Sequence, residues 1–496
     1  MTEYNGGSSK ADHLCVLVHG LWGEPKHLAS VAASLRKAYS EDELHILVAE
    51  SNSGYFTYDG IETGGERVCV EVEETLAAIK AKGANITKLS IIGYSLGGLV
   101  ARYAVGLLQA KGILDSLECK NFIAFASPFL GVRSPTRGTF STVFNALGAR
   151  TLSMSGRQLF GIDSFRDTGR PLLAVMTDME SIFMAGLRQF KRRALYANIV
   201  NDRSANYYTT SISKTDPYAA IANEGGEVED LPVNFVPGYG DIILDPEQPI
   251  DFSKLPEVYD NVKYRAANGL NESKSRTSTR RALRKFLANP RSREARMGLL
   301  ESAPMFAFAL LLPLAVSLFL ISSVYQGFMS SRRRQLHEGG MAGIDIKSYR
   351  VPLWIRTLRN TVEDAYEDID TAQEPGFATP VDSGLDASGA QTPDESSKGP
   401  HQRGLSQSSL SLSQQQLASE SREVRHSKGD HQPVLALSPE QFTMIENLNT
   451  LDWHKYRVWI HNVRHSHAAI IVRHESTRFE EGKTVLRHFV NEEFLV

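Results

Sequence analysis

The pentapeptide Gly93-Tyr94-Ser95-Leu96-Gly97, followed by Gly98, places a serine hydroxyl among glycines in a chain of 496 residues. An apolar run, Leu89-Ser90-Ile91-Ile92, leads into it, and a helix-like stretch from Leu99 to Val105 leads out. Strand, sharp turn and helix in that order lift a nucleophile above a sheet edge, and glycines admit a turn too tight for a Cβ at neighbouring positions. A serine hydroxyl is a poor nucleophile until a base takes its proton and an acid orients that base. The chemistry such a serine could do is acyl transfer.

The remaining parts of that chemistry can be sought in the order serine, acid, histidine that the α/β-hydrolase fold imposes. Leu195 to Val200 reads as a strand running into Asn201-Asp202-Arg203, so Asp202 is the expected acid. Asp216 and Asp241 are its rivals, and Asp163, Asp167 and Asp178 sit in less strand-like stretches. Tyr456 to Ile460 reads as the last strand, followed by a histidine-rich segment. His467 is the expected base, because the small Ala468 and Ala469 let the backbone turn close beneath the serine. His465 is the alternative, while His454, His461 and His474 read as surface or core histidines. Leu14 to Val18 is a buried-strand run ending in His19-Gly20, which assigns the oxyanion donors to the amides of Leu21 and Leu96. His19 itself reads as a loop-shaping residue.

As an ordered set these motifs resemble the fungal serine esterase/lipase family, close to its lipid-droplet phospholipase branch. The matching motifs are His19-Gly20-Leu21-Trp22-Gly23, Thr57-Tyr58-Asp59-Gly60, Gly93 to Gly98, Asn201-Asp202-Arg203 and His467 to Arg473. They cover residues 12 to about 220 and 450 to 496. The resemblance implies that serine, acid and base fall on Ser95, Asp202 and His467. The chain departs from the pattern at Phe129, in Ser127-Pro128-Phe129-Leu130-Gly131, where relatives often carry histidine.

Lysine plus arginine number 54 against 57 aspartates and glutamates, a net charge of −3, so nothing suggests a nucleic-acid partner. Three scattered cysteines, Cys15, Cys69 and Cys119, give no disulfide framework and suit a reducing compartment. No metal-ligand spacing stands out, and neither cofactor nor metal is expected. No obligate protein partner is evident. The first residues lack the charged and apolar regions of a signal peptide.

The elements that position the site are expected at 12–260, an α/β-hydrolase core with a mostly parallel sheet, and at 450–496, its C-terminal part. Between them read a basic linker at 261–301, a membrane-embedded segment at 302–331, a juxtamembrane region at 332–369 and a disordered tract at 370–432. Within the core, 132–190 reads as lid-like or as packing helices. No charged side chain occurs from Ser302 to Ser331. Met305 to Val324 holds twelve Leu, Ile, Phe or Val residues, which favour membrane insertion by roughly 4–7 kcal/mol before proline is counted. Pro313 divides this run into legs of about ten residues, each close to one leaflet in length. Because Ser95 and Asp202 precede the run and His467 follows it, a hairpin that enters and leaves by one face is expected. The expected enzyme is a serine lipase or phospholipase acting on glycerolipids at the cytosolic face of the endoplasmic reticulum or a lipid droplet. The alternatives are a soluble carboxylesterase or acyl-protein thioesterase-like hydrolase, and an inactive hydrolase-fold membrane tether.

Overall fold

The computed structural model describes residues 4–132, 153–218, 233–250, 325–341, 343–354, 435, 437–463 and 465–496. The chain divides into two units, residues 1–356 with 433–496, and residues 357–432; every described residue belongs to the first.

Among the described residues six strands build one parallel sheet in the order β2-β1-β3-β4-β5-β6. They are β1 (His13–Val18), β2 (Leu44–Val48), β3 (Lys88–Tyr94), β4 (Glu118–Phe125), β5 (Arg192–Asn198) and β6 (Trp453–Val458). Every residue of β1 is buried, as a parallel strand covered on both faces requires. Its side chains alternate between two cores: Leu14, Val16 and Val18 face one, and Cys15 and Leu17 face the other. The first core is closed by α2 (Ile61–Ala81), α3 (Leu96–Ala110), α4 (Ile182–Gln189) and α6 (Pro439–Leu448). The second is closed by α1 (Ala29–Ala38) and α7 (Glu480–His488). The chain leaves β1 for β2 on one side and returns to β3 on the other. The carboxyl ends of β1 and β3 therefore flank the point where strand order reverses, the usual place for a site in an open α/β sheet.

The described residues bear on several of the expected boundaries. Among the described part of 132–190, the apolar residues of Leu172–Val175 and α4 are buried in the first core. The C-terminal part of the core begins before 450: Ser438 caps α6 with a capping box, and Met444, Ile445 and Leu448 are buried beneath it. Within the expected juxtamembrane region 332–369, the described residues 332–341 and 343–354 pack against the core unit. A helix at 325–338, α5, lies on the loop before α2; its buried Ser330 donates to the Tyr58 carbonyl at 3.1 Å. Tyr349 and Leu353 sit in the first core. Met305–Val324, the basic stretch 261–301 and the tract 370–432 lie outside the described residues. Among the described residues no helix is long and apolar enough to cross a membrane.

Candidate active site

Ser95 sits between β3 and α3 with φ 56° and ψ −127°, a backbone conformation that non-glycine residues rarely adopt. Two glycines make the turn sterically feasible. A Cβ on Gly93 would come within 2.4 Å of Gly98 Cα, and one on Gly97 within 2.1 Å of the Val18 carbonyl oxygen. Any side chain at either position would push β3 from α3 or α3 from β1. The turn is held from outside by the Ser95 N–H, which donates to the Phe125 carbonyl at 2.9 Å. Leu96 opens α3, so its N–H falls outside the helix ladder, at the positive end of the helix dipole.

Asp202 lies four residues beyond the end of β5, after Asn201 in the left-handed region at φ 62°. Its side chain is 2% exposed. One carboxylate oxygen accepts the Ser204 and Ala205 N–H groups at 3.0 and 2.9 Å. The other accepts from Asn198 Nδ2 at 3.0 Å and meets His467 Nδ1 at 2.9 Å. Burial pushes the Asp202 pKa upward, but His467 and these donors outweigh it, so the carboxyl is held below its ordinary value. An ionised carboxylate can only accept, which assigns the proton of His467 to Nδ1 and leaves Nε2 as an acceptor. That Nε2 lies 2.9 Å from Ser95 Oγ.

His467 is set by the short helix Ser466–Ala469. Buried Ser466 ties its start to the acid loop: the hydroxyl donates to Val200 O at 2.8 Å and the N–H to Asn201 O at 3.2 Å. At its other side α7 comes against Ala469, where a Cβ on Gly482 would fall 1.9 Å from the Ala469 carbonyl oxygen. The Tyr94 hydroxyl donates to the His467 carbonyl at 3.0 Å, with the two rings 5.2 Å apart.

Ser95, His467 and Asp202 are thus brought together, and their rivals are not. His465 is exposed at the start of the short helix. His461 lies between Asp241 and Glu481, His454 pairs with Glu493, and His474 packs on Phe479. Asp163 caps Leu172 and Asp178 pairs with Arg170. His19 is buried, with Nδ1 3.2 Å from its neighbour's carbonyl, and burial lowers its pKa. Gly20 follows it so near the nucleophile that a Cβ there would stand 2.8 Å from Ser95 Cβ; Leu21 is the next residue. Phe129 is wholly buried, its edge against Trp453 and its face beneath Arg102. A cavity of about 710 Å³ walled by Asp59, Glu62, Arg166, Arg334 and Arg350 contains none of Ser95, Asp202 and His467 in its lining.

Tyr94, Asn198 and Ser466 are supporting residues that sequence reading misses. Each contacts the site through an ordinary residue type in a buried position, and only the fold reveals the contact. The motif Thr57-Tyr58-Asp59-Gly60 also finds its place. Thr57 Oγ1 accepts the Trp22 N–H at 3.1 Å, beside the expected oxyanion loop. Fully buried Asp59 lies between Arg67 at 2.8 Å and Arg333 of α5 at 2.8 Å.

Residues 8–215 match the family described as "Putative serine esterase (DUF676)". "Putative lipase ROG1" of Saccharomyces cerevisiae is 28% identical over 208 residues, 41% of this chain and 29% of the relative. "Putative lipase C4A8.10" of Schizosaccharomyces pombe is 25% identical over 299 residues, 57% of this chain and 35% of the relative. The chain thus spans about a third of the length of these relatives. A solved structure, "RedJ with PEG molecule bound in the active site", is 19% identical and covers 30% of this chain and 58% of its own, with a TM-score of 0.21.

Proposed function

We propose that this chain is a lipase or phospholipase that hydrolyses acyl esters of glycerolipids at a membrane or lipid-droplet surface. The observation that carries the reading is the hydrogen-bonded file from Ser95 Oγ through His467 to Asp202, with both links at 2.9 Å. In the proposed reaction His467 Nε2 takes the serine proton as Oγ attacks the ester carbonyl. The amides of Leu21 and Leu96 receive the oxyanion, each worth about 3–4 kcal/mol in the transition state. Collapse expels the alcohol, which takes the proton back from His467, and water then repeats the sequence on the acyl-enzyme. Asp202 holds the imidazole tautomer throughout.

Two observations support the lipid class over a small soluble ester. The relatives that match carry the name lipase, and Met305–Val324 is an apolar run of membrane length. Residues 233–250 before that run and 325–354 after it belong to the same compact unit. A single crossing would separate them, so the proposed anchor enters and leaves by one face, with the catalytic unit on the cytosolic side. Purified full chain beside Ser95→Ala, assayed against phospholipids, lysophospholipids and acylglycerols, tests the reading. Release of fatty acid from at least one class, abolished by the substitution, is the expected result. Equal release by both proteins would defeat it.

A further inference from the structure

Resting on the reading of a lipid-surface enzyme, we infer that an aromatic ridge formed by Trp22, Tyr55 and Phe56, continued by Tyr325 and Phe328 of α5, is the face that docks on the lipid headgroup layer. Trp22 is 58% exposed although its neighbour Leu21 packs on the core. Its ring meets Tyr58 edge-on at 6.4 Å, and Tyr58 in turn stacks on Tyr55 at 6.2 Å. Tyr55 and Phe56 are 60% and 45% exposed, and Tyr325 and Phe328 are 55% and 66% exposed. Ten large apolar side chains are exposed among the described residues; these five and Leu336 of α5 are six of them. They belong to segments joined by the Trp22–Thr57 and Arg333–Asp59 hydrogen bonds, and such clustering is unusual for a surface that meets only water. Tryptophan and tyrosine, apolar in body and polar at the tip, settle at headgroup depth.

The occupant is indicated by where the chain goes. The twenty-residue apolar run ends at Val324, and the next residue, Tyr325, begins α5. That helix is clasped to the ridge. Arg333 donates to both Asp59 carboxylate oxygens and to the Tyr55 carbonyl, and its guanidinium lies 5.2 Å over the Phe56 ring. The ridge is therefore tied to the exit of the apolar run on one side. Through the Trp22 N–H on Thr57 it is tied to the turn that follows Gly20 on the other. A protein seated this way presents the end of β1, beside Ser95, to the layer that holds its substrate. Exposed Arg332 adds a cation for anionic headgroups.

Full-length Ser95→Ala carrying Trp354→Phe would be mixed with phosphatidylcholine–phosphatidylserine vesicles whose acyl chains are brominated near the headgroup. Trp354 is the other strongly exposed tryptophan among the described residues, at 37%. The expected result is quenched emission that disappears when Trp22→Phe is added. Co-sedimentation with vesicles without quenching of Trp22 would overturn the docking face while leaving the lipid-surface reading intact. Failure to co-sediment would overturn that reading, and the docking face with it. In the active protein, Tyr55→Ser with Phe328→Ser should lower turnover of vesicle phospholipid about tenfold and leave a water-soluble short-chain ester unaffected. Equal loss on both substrates would show a structural role and overturn the proposal.

Discussion

The nucleophile and its base are held by opposite strategies. Ser95 is positioned mainly by the six residues of its own turn: Gly93, Gly97 and Gly98 let β3, α3 and β1 close around it, and Phe125 alone is needed to hold its N–H. His467 is positioned by parts remote in sequence, with Tyr94 on one side, the Val200–Asn201 loop on another and Gly482 behind it. A local device tolerates no change within itself but is indifferent to what is inserted elsewhere. A distributed device tolerates long insertions before it, provided β6 still pairs with β5. That explains how 265 residues can separate His467 from Asp202 while the two remain hydrogen-bonded.

The harshest way to break the comparison is to remove its ends. Ser95→Ala and His467→Ala should each lower turnover roughly a million-fold, because the two act as one unit, while His465→Ala leaves it intact. Steady-state ester hydrolysis decides this, and the opposite result for the two histidines would reassign the base. Asp202→Asn should cost less, about ten-thousand-fold, through the wrong imidazole tautomer. It should also change acid stability. The folded carboxyl lies below its ordinary value, so its stabilising contribution is present above the unfolded pKa and fades as pH falls through the folded one. Denaturant melts from pH 6 downward should therefore show a shallower decline for the variant than for the parent. The gentlest change sharpens the contrast: Tyr94→Phe removes one hydrogen bond to the His467 backbone, with about 0.5–1.5 kcal/mol at stake. A kcat reduced roughly threefold to tenfold with KM unchanged marks a positioning role, whereas loss of thermal stability alone marks packing.

This division also governs how much the sequence discloses. The elbow is legible because steric necessity writes glycine at fixed offsets around the serine, and β1, β3 and β5 are legible because strands covered on both faces carry apolar runs. β2 escapes notice because Leu44–Val48 alternates buried with half-buried residues and includes His45. The acid and base could be named from chain order and strand ends, but their supports could not. Asn198 and Ser466 are polar residues whose partners lie across the site. The docking of α5 on the loop before α2 is hidden for a different reason. Arg333 reads as one of three basic residues beside an apolar run, yet its charge is committed to Asp59 inside the fold. Charge in a sequence does not disclose whether it faces solvent or a buried carboxylate.

The late arrival of β6 has a consequence for biosynthesis. A chain is made from its N-terminus at about 5–20 residues per second, so roughly 13–50 s pass between the synthesis of Asp202 and that of His467. Throughout that interval a nascent chain carries a formed nucleophile turn and no base to activate it. The apolar run is synthesised within the same interval, before the hydrolytic machinery can be completed. Chain termination anywhere in between leaves a product that has Ser95 and Asp202 but lacks His467.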